Sequence, residues 1–303
     1  MTLTDLRYIV VLARERHFGR AAERCFVAQP TLSVAVKKLE DELGVMIFER
    51  RQGEVRVTPV GERIVAQAEK VLNEAAQVKE MAQAGKDPLS GPLRLGAIYT
   101  IGPYLLPRLI PLMVDRAPNM PFFIEENYTH RLAEKLRAGE VDVIVIALPF
   151  GEPGIVTQAL YDEPFRVAMP AGHPWAERKS IPPQELGDEK LLLLGAGNCF
   201  RDQVLEACPR NKPDGTLQRT LEGGSLETIR QMVASGIAIT VLPSSATDGP
   251  SSQNSLLAIR PFSEPEPFRR VALAWRASFP RPQAMDVLSQ AILACKLPGV
   301  KAV

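Results

Sequence analysis

Four cysteines and three histidines in 303 residues are few. Four thiols in a chain that carries no export signal do not make a disulfide framework of the secreted kind, so a pair that bridges is expected to do so transiently, as a redox device. His17, His130 and His173 are too scattered to suggest a metal site, and no cofactor is expected. Long apolar runs are missing as well. The longest, Val141 to Phe150, is interrupted by Asp142 and falls far short of the roughly 20 residues that a membrane-spanning helix needs. Asp5, Arg7, Arg14 and Arg16 break up the amino-terminal stretch, so the protein is expected in the cytoplasm with no membrane partner. Excess charge is absent: the formal net charge is +1, which excludes a polybasic nucleic-acid coat and leaves room only for a small basic face.

What is present is an ordinary globular composition, 46% hydrophobic and 23% charged, in a chain long enough for about two domains. Apolar residues at helical spacing predict a first helix from Leu3 to Arg16, and Gly19 opens a short alanine-rich segment, Arg20 to Phe26. Gln29-Pro30 begins a third helix, with Leu32, Val36, Leu39 and Leu43 inward, Pro30, Ser33, Val34 and Lys37 outward, and a stop at Gly44. Val45 to Phe48 and Glu54 to Val57 read as two strands of a wing that turns through Arg50, Arg51 and Gly53. Glu62 to Gln83 is a long helix with a narrow stripe of Ile64, Ala68, Val71, Ala75, Val78 and Ala82, suited to a seam between two chains.

A linker at 85–92 separates this from alternating strand-like and helical runs, which predict a mixed α/β region with parallel pairing. The runs are Leu93 to Ala97, Pro103 to Arg116, Phe122 to Glu125, His130 to Ala138 and Val141 to Leu148, then Phe165 to Met169, Leu191 to Leu194, Cys199 to Ala207, Leu226 to Ala234 and Ile237 to Leu242. Strand Val271 to Trp275 and helix Pro282 to Ala294 close the chain and return it to the first of two lobes, with a cleft between them. The expected domains are a winged helix-turn-helix at 1–61, a dimerisation helix and hinge at 62–91, and a regulatory region at 92–303. Within that region, lobe I spans about 92–162 and 268–303 and lobe II about 163–267.

Phe18-Gly19-Arg20-Ala21-Ala22, Gln29-Pro30-Thr31-Leu32-Ser33, Lys38-Leu39-Glu40, Leu43-Gly44, Phe48-Glu49-Arg50 and Thr58-Pro59-Val60-Gly61 follow one another in an order that closely resembles the LysR-type transcription regulators. That resemblance implies an α/β chain of winged helix-turn-helix, linker helix and a two-lobed regulatory domain like type 2 periplasmic binding proteins. It also implies promoter double-stranded DNA and RNA polymerase as partners, and a homo-tetramer built as a dimer of dimers. A recognition helix meets base edges through its amino-terminal residues, which makes Gln29, Pro30, Thr31 and Ser33 the candidates for base contact and Lys37 and Arg50 those for phosphates.

Gly197 to Cys208 is similar to the redox segment of peroxide-sensing members of that family, as are Ile98 to Tyr104, Glu126 to Thr129 and Ser225 to Ile229. This implies a hydrogen peroxide signal, a Cys199–Cys208 disulfide, activation of oxidative-stress defence genes, no enzymatic turnover, and reset by a thiol reductant such as a glutaredoxin. The residues carry chemistry of their own. Asn198 is a favoured cap, which would set Cys199 at a helix start where partial positive charge favours an anionic sulfur, with Arg201 adding to it. Thr100 and Thr129, at strand ends where α/β sheets bind ligands, are candidates to hold the peroxide oxygens. Arg269 or Arg270 is a candidate for stabilising the sulfur anion or sulfenate, against an exposed ion-pair role, and Arg270 is assigned to the pocket. Cys25 and Cys295 read as small packing residues. Peroxide-sensing relatives typically carry histidine where this chain has Asn198, so reduced sensitivity is expected. The alternatives are a regulator that answers to a small metabolite in the cleft, and a cysteine peroxidase.

Overall fold

The computed structural model describes residues 1–51, 54–84, 87–207, 222–249 and 255–303. The chain divides into two compact units, Met1–Lys86 with Ala138–Glu140, and Asp87–Arg137 with Val141–Val303.

In the first unit, α1 (Leu3–Glu15) opens with a capping box between Thr2 and Asp5 and ends at Arg16 in the left-handed conformation. His17 Nδ1 accepts hydrogen bonds from the backbone N–H groups of Gly19 and Arg20 and so starts α2 (Phe18–Arg24). Then comes α3 (Gln29–Leu43), closed by Gly44 at φ 68°, a conformation that glycine adopts without strain. Leu6, Ile9, Leu12, Leu32, Val36 and Leu39 make the core of this module. Leu43 does not join it; the last turn of α3 carries it past the core and it is 39% exposed. The wing pairs β1 (Phe48–Arg51) with β2 (Glu54–Val57). Its first strand begins later than the pattern predicts, because the backbone N–H groups of Ile47 and Phe48 donate to Glu40 Oε1, at 2.7 and 2.9 Å, tying this segment to α3. Arg50 and Arg51 therefore lie in the strand, and Gly53 falls outside the described residues.

Helix α4 (Pro59–Ala84) starts three residues before the predicted Glu62, since Thr58 Oγ1 accepts from the Gly61 N–H at 2.9 Å. Gly61 is obligatory here: a Cβ would stand 2.2 Å from the Ile47 carbonyl oxygen. The apolar stripe of α4 is divided. Ala68 is buried and Ile64 packs on the module's own core, whereas Val71 and Val78 are 38% and 66% exposed. The start of the stripe is thus taken up by the module's own core, and Val71 and Val78 are the stripe residues left exposed among the described ones.

The second unit holds two hydrophobic clusters. In the first, β3 (Leu93–Ile98), α5 (Gly102–Arg116), β4 (Phe122–Asn127), α6 (Thr129–Ala138) and β5 (Val143–Ala147) build a parallel arrangement in which β3 pairs with both β4 and β5. A 16-residue strand, β6 (Ile155–Pro170), then leaves this cluster for the second. There β7 (Leu191–Leu194), α7 (Cys199–Ala207), β8 (Glu222–Gly223), α8 (Leu226–Ala234), β9 (Ile239–Pro243), α9 (Ser244–Thr247) and β10 (Leu257–Pro261) follow. Finally β11 (Phe268–Arg276), α10 (Pro282–Ala294) and β12 (Lys301–Ala302) bring the chain back to the first cluster. The pairing is not purely parallel: β11 runs antiparallel to β5 and β6, and β6 antiparallel to β9, β10 and β12. The strands that pass between the two clusters carry this antiparallel pairing, because a chain that crosses and returns runs in opposite directions. Among the described residues no helix is long and apolar enough to cross a membrane.

Candidate functional site

Three strand-to-helix junctions converge in the second unit. Thr100 follows β3, Thr129 is the first residue of α6 after β4, and Cys199 is the first residue of α7 after β7. These are carboxyl ends of parallel strands, where an open α/β sheet leaves space and helix N-termini for a ligand. Residues 98–100, 127–129 and 197–199 line a small cavity there, with an empty volume of about 190 Å³ including open solvent. Thr129 Oγ1 donates to Cys199 Sγ at 3.6 Å. Thr100, Thr129, Asn198 and Cys199 thus line one cavity.

Arg270 is not among them. On β11 successive side chains point to opposite faces, and the register sets Arg270 opposite Asp162 and Arg269 opposite Glu163. Arg270 turns outward, 42% exposed, and clasps both oxygens of Asp162 at 2.7 and 2.8 Å. Arg269 turns inward and is fully buried. Its Nε donates to Glu163 Oε2 at 2.7 Å, Nη1 to Thr100 Oγ1 at 2.7 Å and Nη2 to the Thr100 carbonyl at 2.8 Å, and its guanidinium lies 5.0 Å from the centre of the Phe200 ring. Because Thr100 Oγ1 accepts from Arg269, its own O–H remains to donate, and Thr100 lines the cavity. Alternation alone made the two arginines indistinguishable in the sequence; only the strand register decides between them.

Two further expectations change. Asn198 is buried, but its amide donates back to the Gly195 carbonyl at 3.0 Å instead of accepting from the first turn of α7. Arg201 points away from the sulfur, donating to the Leu194 carbonyl and to Glu222, each at 2.7 Å. Gln203, one turn beyond Cys199, was not among the candidates from the sequence: its amide donates to the Leu148 carbonyl at 3.2 Å, and its Oε1 is buried with no partner among the described residues. A lone glutamine within a helix gives no signal at the level of sequence.

Of the remaining thiols, Cys295 is buried and donates to the Ala291 carbonyl at 3.2 Å, and burial pushes its pKa up to about 11. Burial also raises the pKa of Cys25, against the opposing charge of Arg7. Both are poor sources of thiolate, in keeping with packing roles. Cys208 lies outside the described residues.

In the first unit Gln29, Pro30, Thr31 and Lys37 are exposed on α3, Ser33 is half-buried, and Arg50 sits in β1 opposite Val55.

Residues 3–62 match the model of the bacterial regulatory helix-turn-helix proteins of the LysR family, and residues 86–294 match that of the LysR substrate binding domain. The chain belongs to the LysR family of bacterial regulators. Along 294 residues it is 41% identical to the DNA-binding transcriptional dual regulator OxyR of Escherichia coli K12, covering 97% of this chain and 95% of that one. Among solved structures, it is similar to the full-length C199D form of OxyR from Pseudomonas aeruginosa, with 61% identity, 98% and 99% coverage and a TM-score of 0.80. A hydrogen peroxide-bound cysteine-to-serine mutant of Corynebacterium glutamicum OxyR is also similar, with 34% identity, 97% and 92% coverage and a TM-score of 0.66.

Proposed function

We propose that the protein is a peroxide-sensing transcription activator, in which residues 1–61 bind promoter DNA, 62–91 join two chains, and 92–303 carry the redox switch. Gln29, Pro30, Thr31 and Ser33 meet base edges, while Lys37 and Arg50 meet phosphates. The active form is a tetramer acting with RNA polymerase in the cytoplasm. The observation that carries the reading is the Cys199 sulfur at a helix start, facing a cavity small enough for a peroxide and lined by the hydroxyls of Thr100 and Thr129.

The Cys199 thiolate attacks one peroxide oxygen. The O–O bond breaks, hydroxide leaves, and the sulfur becomes a sulfenic acid. Thr100 donates to one peroxide oxygen, and Thr129 turns its hydroxyl from the sulfur to the other during transfer. The Cys208 thiol then displaces water from the sulfenic acid, forming the disulfide, and a glutaredoxin-type dithiol later returns two electrons and two protons.

The bridge requires α7 to melt. Its eight residue steps from Cys199 to Ala207 span about 12 Å along the axis. One further residue reaches about 3.8 Å, so the Cα atoms of 199 and 208 stay at least about 8 Å apart while α7 persists, beyond the roughly 6.8 Å limit of a disulfide. Melting withdraws Phe200 and Val204 from the second cluster, and removing Phe200 uncovers Arg269. Oxidation is thereby coupled to the packing of a whole lobe.

Mass spectrometry after micromolar peroxide should find a 199–208 bridge, and footprints of reduced and oxidised protein on the same promoter should differ. Free thiols at both positions, with identical footprints, would leave only a redox-indifferent LysR regulator. Asn198→His should speed Cys199 oxidation by about a hundredfold, the low end of general acid catalysis, because an imidazole can protonate the departing hydroxide. An unchanged rate in stopped-flow peroxide titrations would remove any proton-transfer role for this position.

A further inference from the structure

The turn between α2 and α3 contains a residue that the fold itself does not favour. At the end of α2 the Phe26 N–H donates to the Glu23 carbonyl at 3.1 Å and the Val27 N–H to the Ala22 carbonyl at 3.0 Å. This is the paired hydrogen-bond pattern in which the residue one past the helix cap must adopt a left-handed conformation, a place usually held by glycine. Here it is Phe26, at φ 57°. A bulky side chain is strained in that region because its Cβ crowds the following carbonyl. Nor does burial compensate, for Phe26 is 95% exposed. Both the backbone and the side chain are thus worse placed than glycine would be, and such outliers cluster where a residue serves binding.

We propose that Phe26 reads thymine, its ring packing on the C5 methyl group of a thymine in the major groove beside the recognition helix. The position supports this. Phe26 stands three residues before Gln29, the first residue of α3, in the turn that leads into the end of the helix whose early residues Gln29, Pro30 and Thr31 are exposed. Val34, 67% exposed on the outer face of the same helix, continues the apolar character of this edge. The thymine methyl is the one apolar group displayed in the major groove, and phenylalanine is among the side chains that contact it. The inference rests on the DNA-binding reading of the first unit. It adds to it a sequence preference that none of the polar contacts supplies.

The test separates the two. Full-length protein selects a duplex from a random-sequence pool, and the selected duplex is remade with deoxyuridine replacing single thymines, which deletes only the methyl group. Fluorescence anisotropy at fixed salt should show the wild-type protein losing about fourfold in affinity at one or two positions, the value of one buried methylene. Phe26→Ala should bind thymine and deoxyuridine duplexes equally at those positions and keep wild-type behaviour elsewhere. Phe26→Gly guards against misfolding: it should equal or exceed the wild-type thermal midpoint, since glycine suits the left-handed position, while losing the same discrimination. Equal binding of both duplexes by wild-type protein overturns the proposal, as does a Phe26→Ala variant that retains the wild-type ratio or weakens uniformly on every duplex. If the pool enriches no duplex, the DNA-binding reading fails and this contact with it.

Discussion

Replacing Arg269 with methionine is expected to destabilise the second unit by about 3–5 kcal/mol, the cost of leaving a buried charge without its partner. Glu163 is buried with the arginine, and among the described residues only the Ser245 N–H, at 3.2 Å from Oε1, would remain to it. The thermal unfolding midpoint should fall by roughly 6–20 °C for a unit of this size. The companion Arg269→Met/Glu163→Leu variant should recover most of the loss, because removing both charges removes the desolvation cost as well. Function should not recover with it. Without Arg269 the Thr100 hydroxyl loses the donor that orients it, so the doubly substituted protein should fold and still oxidise slowly. If the single variant unfolds at the wild-type midpoint, the buried pair is not the keystone that its contacts indicate.

Cys199→Ser is expected to abolish the peroxide response completely. An alcohol accepts the Thr129 hydrogen bond as well as a thiol does, but it is not oxidised by peroxide. Neither sulfenic acid nor disulfide should form, and the footprint should stay that of the reduced protein. Affinity for the promoter in the absence of oxidant should change by no more than about twofold, since a small substitution away from the DNA-binding module costs little. Cys208→Ser should separate the two chemical steps: sulfenic acid accumulates at Cys199 and reacts with a dimedone-type probe, but no bridge follows. A Cys199→Ser protein whose footprint still changed with peroxide would place the sensing sulfur elsewhere, with half-buried Cys25 the next to test.

Much of this architecture is legible along the chain, and the reason is local. Helices α7, α8 and α10 run over Cys199–Ala207, Leu226–Ala234 and Pro282–Ala294, as their apolar spacing predicts. Strand β6 is different. Its first part, Ile155 to Pro164, mixes exposed Val156, Thr157 and Gln158 with Asp162, Glu163 and a proline, and shows no alternation. It is a strand because β11 lies beside it from Ile155 to Pro164, a pairing between segments about a hundred residues apart that no local pattern can announce. The shift of register between Val271 and Ala272 of β11 is equally invisible in the sequence.

Residue order was enough for the helix-turn-helix, the long α4, the α/β alternation, and the places of Thr100, Thr129 and Cys199 beside strand-to-helix junctions; that the three junctions meet was decided by packing. Each follows from spacing or from a strand-to-helix junction, and both are properties of neighbours along the chain. Packing in three dimensions settled which arginine reaches the site, which way Asn198 and Arg201 turn, and how much of the α4 stripe remains open. Those depend on strand register and on competing hydrogen-bond partners that meet only when distant segments pack. Adjacent residues such as Arg269 and Arg270 are chemically equal until a neighbouring strand buries one and leaves the other in water.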